Sequence, residues 1–146
     1  MTGVAIVTGG AGGIGLATVG RLLNKAMSGM LGDADESQAR RAAERFGSDR
    51  LAISIADVTE ETPVQRTVEE TLSRFGQIDA LVNVAGGAGP KKVHEIENIE
   101  PDTWDLVINL NVRSVYLYCR AVMPHMRKRR YGRIVNISST LARGEK

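Results

Sequence analysis

A doubly wound α/β domain, with one parallel sheet between two layers of helices, is the fold class this sequence predicts. Three observations lead there. Short apolar runs alternate with helical segments along the whole chain, a glycine cluster directly follows the first run, and the unusual residues recur just after the first, fourth and fifth runs. Strand and helix in strict alternation require crossover connections, hence parallel strands with helices on both faces and right-handed crossovers. In such sheets a ligand sits beyond the carboxyl ends of the strands, where the winding reverses.

The elements follow in order. Val4 to Val7 is a buried strand, and an apolar-periodic helix runs from about Ile14 to Lys25. Met27 to Gly32 is a second strand that Ser28 and Gly29 are expected to weaken. Asp35 to Phe46 is a polar helix whose Ala39, Ala42, Ala43 and Phe46 make one packed stripe, and Leu51 to Ala56 is a third strand. Glu60 to Phe75 places Val64, Val68, Leu72 and Phe75 along one helical face. Ile78 to Val82 is a fourth strand and Arg133 to Ile137 a fifth. Between them one long helix is expected from about Pro101 to Arg129, with proline and acid at its start and cations at its end, as the helix dipole favours.

Composition narrows the classes of function. The chain has 146 residues, one ordinary domain, with 42% apolar and 25% charged residues. A net charge of +2 is too small to imply nucleic acid or an anionic membrane as partner. Arg127-Lys128-Arg129-Arg130 is read as a helix C-terminus rather than a nucleic-acid patch, since aromatic residues for base stacking are scarce. Cys119 has no partner for an internal disulfide, and His94 and His125 have none at metal-ligand spacing. No apolar stretch approaches the ~18 residues of a membrane helix, and the short run after Met1-Thr2-Gly3 does not suit a signal peptide. A soluble, cytoplasmic protein of one domain spanning 1–146 is the expectation.

The segment Thr8-Gly9-Gly10-Ala11-Gly12-Gly13-Ile14-Gly15 ends the first strand and opens the first helix. Glycines there permit a tight turn and let backbone N–H groups approach a pyrophosphate. A nucleoside-triphosphatase loop would end in Gly-Lys-Ser/Thr, and here Gly15 is followed by Leu16-Ala17, so that reading fails. Asp33 follows Gly15 by 18 positions, suiting an acid that accepts hydrogen bonds from ribose hydroxyls and repels a 2′-phosphate. Asp35 competes for that role but is better placed as a helix N-cap.

With these residues in hand, the chain resembles the short-chain dehydrogenase/reductase family, whose fold is of the Rossmann type. Thr8-Gly9-x-x-x-Gly13-Ile14-Gly15 matches its cofactor motif, with Gly12 inside it. Asp57-Val58 matches the pair that lies against adenine. Asn83-Val84-Ala85-Gly86 looks like its Asn-Asn-Ala-Gly motif, with Val84 in place of the second Asn. Asn111 and Ser139 match two of its four catalytic positions, and Gly132 to Ser139 is characteristic as a stretch. The resemblance runs in order from Val4 to Ser139. Thr8-Gly9-x-x-Gly12-x-x-Gly15 also fits the extended branch that includes sugar epimerases and dehydratases, whereas Asn83 to Gly86 and Ile137-Ser138-Ser139 favour the dehydrogenase branch.

The resemblance implies NAD(H), with NADP less favoured, hydride exchange with an alcohol or carbonyl, and a homo-oligomer, dimer or tetramer, when full length. It implies that Gly9, Gly12, Gly13, Ile14, Gly15, Asp33, Asp57, Val58, Asn83, Ala85 and Gly86 hold the cofactor. Ser139 would hydrogen-bond the substrate oxygen, and Asn111 would hold a water in the proton relay. In that family the long helix packs on its counterpart in a neighbouring subunit, and Val115, Cys119, Val122 and Met126 are the expected surface. Gly87-Ala88-Gly89-Pro90 would border the pocket. The family's Tyr-x-x-x-Lys pair is not present by Lys146: four after Tyr116, Tyr118 and Tyr131 stand Arg120, Val122 and Val135. The expectation is therefore a chain lacking its C-terminal part and nearly inactive by itself. The rival expectation is a dinucleotide-binding protein without catalysis, which would leave Ser139 and Asn111 only structural work.

Overall fold

A computed structural model describes residues 3–89 and 95–139. Pro90, His94 and Thr140 lie outside them.

Five strands form one parallel sheet: β1 (Val4–Thr8), β2 (Ser28–Asp33), β3 (Leu51–Ile55), β4 (Ala80–Asn83) and β5 (Arg133–Asn136), in the order β3-β2-β1-β4-β5. The chain winds outward from β1 to β3, then returns across β1 to β4. The switch point therefore lies between β1 and β4. Period-two alternation sends Val7, Leu31 and Val82 to one face, against Val19 and Leu23 of α1 (Gly13–Asn24) and Ala39 and Ala42 of α2 (Glu36–Phe46). Ile6, Met30 and Leu81 go to the other face, against Val64 and Val68 of α3 (Glu61–Phe75) and Leu117, Tyr118 and Val122 of the long helix. The predicted fold class is the observed one.

Three expectations need correction. Ser28 and Gly29 do not spoil β2, which is paired to β1 and β3 on both edges and almost wholly buried. Neighbouring ladders satisfy its backbone, and Gly29 leaves ordinary van der Waals room for Leu51, 3.6 Å from where a Cβ would stand. The long helix is not uniform: α4 (Pro101–Ile108) passes through a π-helical turn (Asn109–Arg113) into α5 (Ser114–Arg129). Asn111 Nδ2 donates to the carbonyl of Val107 and the Ser114 hydroxyl to that of Leu110, and such side chains compete for the helix's own acceptors. The residues expected to meet a neighbouring subunit also face the wrong way. Val122 and Met126 are in the core and Cys119 packs against it, while Trp104, Leu106, Ile108, Val112, Tyr116 and Met123 are the large exposed apolar residues of this helix.

The cationic end of α5 has a partner that sequence reading missed. Asp79, buried just before β4, accepts from Arg129 at 2.7 Å, from the Val4 N–H at 2.7 Å and from Gln77 Nε2 at 2.7 Å. This fastens the amino ends of β1 and β4 to α5, at the end of the sheet away from the glycine turn.

Candidate functional site

The register sets Gly32, Thr8, Asn83 and Asn136 side by side across four strands, at the carboxyl edge of the sheet. The glycine turn, Asp33, the Asn83–Gly86 loop and Ser139 all follow from this row.

After Thr8 the chain turns sharply. Gly9 has φ +60°, and a Cβ there would lie 3.0 Å from the backbone of Ala85. A Cβ on Gly15 would stand 2.0 Å from the Gly9 carbonyl oxygen, so the first turn of α1 rests directly on the glycine turn. No side chain caps α1 and no acid lies in its first turn, while Cβ positions on Gly12 and Gly13 meet nothing within 4 Å. Ile14, 59% exposed, sits at the rim. Uncapped N–H groups facing open space at a helix N-terminus suit an anion.

Asp33, at the end of β2, is held from two sides. Its Oδ2 accepts from the Ala11 N–H at 3.0 Å and its Oδ1 from the Asp35 N–H at 3.0 Å. Asp35 caps α2, accepting from the Gln38 N–H, the Gln38 amide and the Ser37 hydroxyl, and these bonds, the Gln38 N–H first, hold its carboxyl down at about 2. Of the two acids, Asp33 therefore faces the glycine turn and Asp35 is spent on the helix. Asp57 accepts from the Thr59 N–H and hydroxyl, which shapes the loop after β3, and Val58 is buried beneath it. Gly9, Asp33, Ala34, Asp57, Val58, Ala85, Gly86 and Leu110 line one cleft of about 370 Å³.

A second cleft, of about 600 Å³, begins at the same Ala85 and Gly86 and continues past Gly87, Val107, Asn111 and Val115 to Ile137, Ser138 and Ser139. The two clefts share Ala85 and Gly86 at the switch point, with Asp33 lining the first and Ser139 the second. Among the described residues, no charged side chain lines the second cleft. Asn83 Nδ2 donates to Asn136 Oδ1 at 2.9 Å, tying β4 to β5 beneath it. Asn111 Oδ1 accepts from the Gly87 N–H at 3.0 Å, and its Nδ2 donates to the Gly87 carbonyl at 2.7 Å. Its side chain therefore clamps the β4 loop to the π-helical turn. A Cβ on Gly86 would lie 2.7 Å from that Asn111 oxygen.

Thr8 is the residue whose role sequence reading passed over. Its buried hydroxyl accepts from the N–H groups of Val84 at 3.0 Å and Ala85 at 3.1 Å, so one side chain fixes the loop where the clefts meet. Tyr118 and Cys119 take no part. Burial raises the tyrosine's pKa while it bonds Thr67, and burial raises the thiol's pKa beside Asn83. Tyr131 stands just before β5, at the opposite end of the sheet.

An α/β sheet of this order, with an anion cradle and an acid at its switch point, defines a nucleotide-binding class of domain. Comparison with known proteins narrows it. A model of the short chain dehydrogenase family matches residues 3–145. A dehydrogenase subunit of Thauera aromatica, (2S)-[(R)-hydroxy(phenyl)methyl]succinyl-CoA dehydrogenase subunit BbsD, is 33% identical over 138 residues, covering 93% of this chain and 54% of that protein. The 2-(R)-hydroxypropyl-CoM dehydrogenase of Xanthobacter autotrophicus is 37% identical over 143 residues, covering 95% and 57%. Among solved structures, 3-ketoacyl-(acyl-carrier-protein) reductase from Brucella melitensis complexed with NADH superposes with a TM-score of 0.87 at 33% identity, covering 96% of this chain and 58% of that one. The chain belongs to the short chain dehydrogenase family, a family of oxidoreductases. It spans about half the length of the curated relatives it matches.

Proposed function

We propose that these residues are the cofactor-binding half of a cytoplasmic NAD(H)-dependent oxidoreductase that interconverts an alcohol and a carbonyl compound. The observation that carries this reading is the pair of clefts that share Ala85 and Gly86, one lined by Asp33 and the other by Ser139. The cradle of Gly12 to Gly15 suits a pyrophosphate, with Gly9 giving the close approach and Ile14 the rim. Asp33 suits ribose hydroxyls, and the cleft by Asp57 and Val58 suits adenine. Asn83, Ala85 and Gly86 would then flank the nicotinamide, whose chemistry is to give or take a hydride.

The chain's own residues supply position. Thr8 and Asn111 fix the β4 loop from opposite sides, so the walls are set before a ligand arrives. Ser139, at the far end, would donate a hydrogen bond to the substrate oxygen where charge develops. Among these 146 residues no tyrosine has the family's lysine spacing, and Tyr118 and Tyr131 stand outside the cleft, so residues 1–146 alone should bind cofactor without turnover. The Asn111 amide is committed to Gly87 and Val107, so any water in the relay would meet backbone rather than this side chain. The exposed stripe of Trp104, Ile108, Val112 and Tyr116, four apart on one face, is the surface for a second copy.

Calorimetric titration tests the reading. NADH should bind more tightly than NADPH, and Asp33→Ala should weaken NADH preferentially. Tighter binding of NADPH by the unaltered protein would refute the NAD(H) assignment.

A further inference from the structure

Beneath the carboxyl ends of β2 and β3, on the face covered by α3 and α5, the core carries a polar cluster. Ser54 of β3, Thr67 of α3 and Tyr118 of α5 meet there, all three buried. The Ser54 and Thr67 hydroxyl oxygens are 3.0 Å apart, and the Tyr118 hydroxyl donates to Thr67 at 3.5 Å. Ser54 donates to Glu70 Oε2 at 2.5 Å, so its oxygen is left to accept from Thr67, which also reaches the Pro63 carbonyl at 3.0 Å. Glu70, half-exposed, has its Oε1 3.9 Å from Arg66 Nε, and Arg66 donates to the carbonyl of Ile55 at 2.6 Å. The bonds thus run from under β2 through α3 and return to the last residue of β3.

That place bears on the first cleft. Ile55 is followed directly by Ala56, Asp57, Val58 and Thr59, four residues of its lining. Ser54 pairs in register with Gly32, and Ile55 with Asp33. A Cβ on Gly32 would lie 3.5 Å from the Tyr118 hydroxyl oxygen, so the phenol closes the space below that glycine. The Gly32 carbonyl in turn accepts from the Gly10 N–H of the glycine turn at 3.1 Å. Two walls of the cleft, Asp33 and the Asp57 loop, therefore stand on strand ends that this network holds. Apolar side chains could fill the same volume, whereas directed bonds also fix where each strand end sits against its helix.

We propose that Thr67, together with Ser54, is a positioning residue for the adenosine half of the cofactor, keeping Asp33 and the Asp57 loop at the separation a bound nucleotide needs. The proposal rests on the reading of the first cleft as the adenosine site. Neither side chain is among the described lining of that cleft, so both act from beneath, through β2 and β3. Thr67→Val keeps the shape of the side chain but removes the hub, leaving the Ser54 and Tyr118 hydroxyls short of a partner. Thr71, one turn further along α3 and equally buried, donates its hydroxyl to the Thr67 carbonyl, within the helix. It supplies a control: a buried hydroxyl of the same helix that is bonded to no strand.

The test measures NADH and AMP binding by calorimetry on the full gene product, at a temperature where melts show each variant folded. Thr67→Val should weaken both ligands by about fivefold to tenfold and Ser54→Ala by about threefold. The conservative Thr67→Ser and the Thr71→Val control should each stay within about twofold of the unaltered protein. In an Asp33→Ala background the loss from Thr67→Val should shrink to within about twofold, because both changes act on the same wall. Should Thr67→Val not fold, Ser54→Ala with and without Asp33→Ala reads the same coupling. Unchanged affinity in the network variants, a loss no larger than that of Thr71→Val, or losses that simply add to that of Asp33→Ala would overturn the proposal and leave the proposed function standing. Failure of the unaltered protein to bind NADH would overturn the proposed function and this proposal with it.

Discussion

Replacing Gly15 by alanine examines how the cradle is built. The added Cβ would stand 2.0 Å from the Gly9 carbonyl oxygen, 2.8 Å from the Gly9 carbonyl carbon and 2.9 Å from the Gly10 Cα. Ordinary carbon contacts are at ~3.5–4.0 Å, and every atom met here is backbone, so the turn must shift by roughly 1 Å. Overpacking of this kind costs about 1–3 kcal/mol, and the severity puts it at the upper end. Alanine in a helix returns up to about 1 kcal/mol, leaving a net loss of roughly 2 kcal/mol. For a chain of this size that is a fall of about 6 °C in melting temperature. Displacing the turn also moves the N–H groups that face the cradle, so NADH affinity should fall by about a hundredfold or more. Gly12→Ala makes the contrast. Nothing lies within 4 Å of its Cβ and its φ of −123° is extended, so stability should hold while the methyl group enters the cradle and weakens NADH. Thermal melts and calorimetry on both variants decide the matter. A Gly15→Ala protein with unaltered melting temperature and NADH affinity would refute the reasoning.

Two further substitutions probe the supports. Thr8→Val leaves the Val84 and Ala85 N–H groups without their acceptor, which should cost about 2 kcal/mol and weaken NADH; a melt within 1 °C of the unaltered protein's would contradict this (roughly 6 °C is expected). Asp35→Ala should lower the melting temperature at pH 7. Because bonding from Gln38 holds the folded-state carboxyl at about 2, below its ordinary 3.8, the stabilisation is complete above pH 4 and fades as pH falls towards 2. Melts of the two proteins should therefore converge over that window, and a gap that widens on acidification would rule the cap out.

The residues whose roles depend on local sequence were legible in advance. Val4 to Val7 and Leu51 to Ala56 read as strands because short apolar runs bounded by turn residues have few other uses, and Asp35 read as a cap from its place before a helical pattern. That the glycine turn and Asp33 lie side by side was legible because their spacing is dictated by one strand, one turn and one helix. Roles that depend on packing were not. The turn at Asn109–Arg113 arises when Asn111 reaches the β4 loop 24 residues away, which no helical periodicity reveals. Ser28 and Gly29 weaken a strand only where it has an unsatisfied edge, and β2 has none. The outward face of the long helix was misassigned because its apolar residues surround it. Cys119, Val122 and Met126 turn inward only because α5 docks on the sheet.

The central claim is that one dinucleotide spans the switch point from Asp33 to Ser139. Backbone amide shifts of the isotope-labelled protein, titrated with NAD, test it most directly. The account predicts perturbations at Gly12, Gly13, Ile14 and Asp33 at one end and at Asn83, Ala85, Gly86 and Ser139 at the other, with Arg129 and Arg133 at the opposite end of the sheet unmoved. Shifts confined to that opposite end, or none at millimolar NAD, would contradict it.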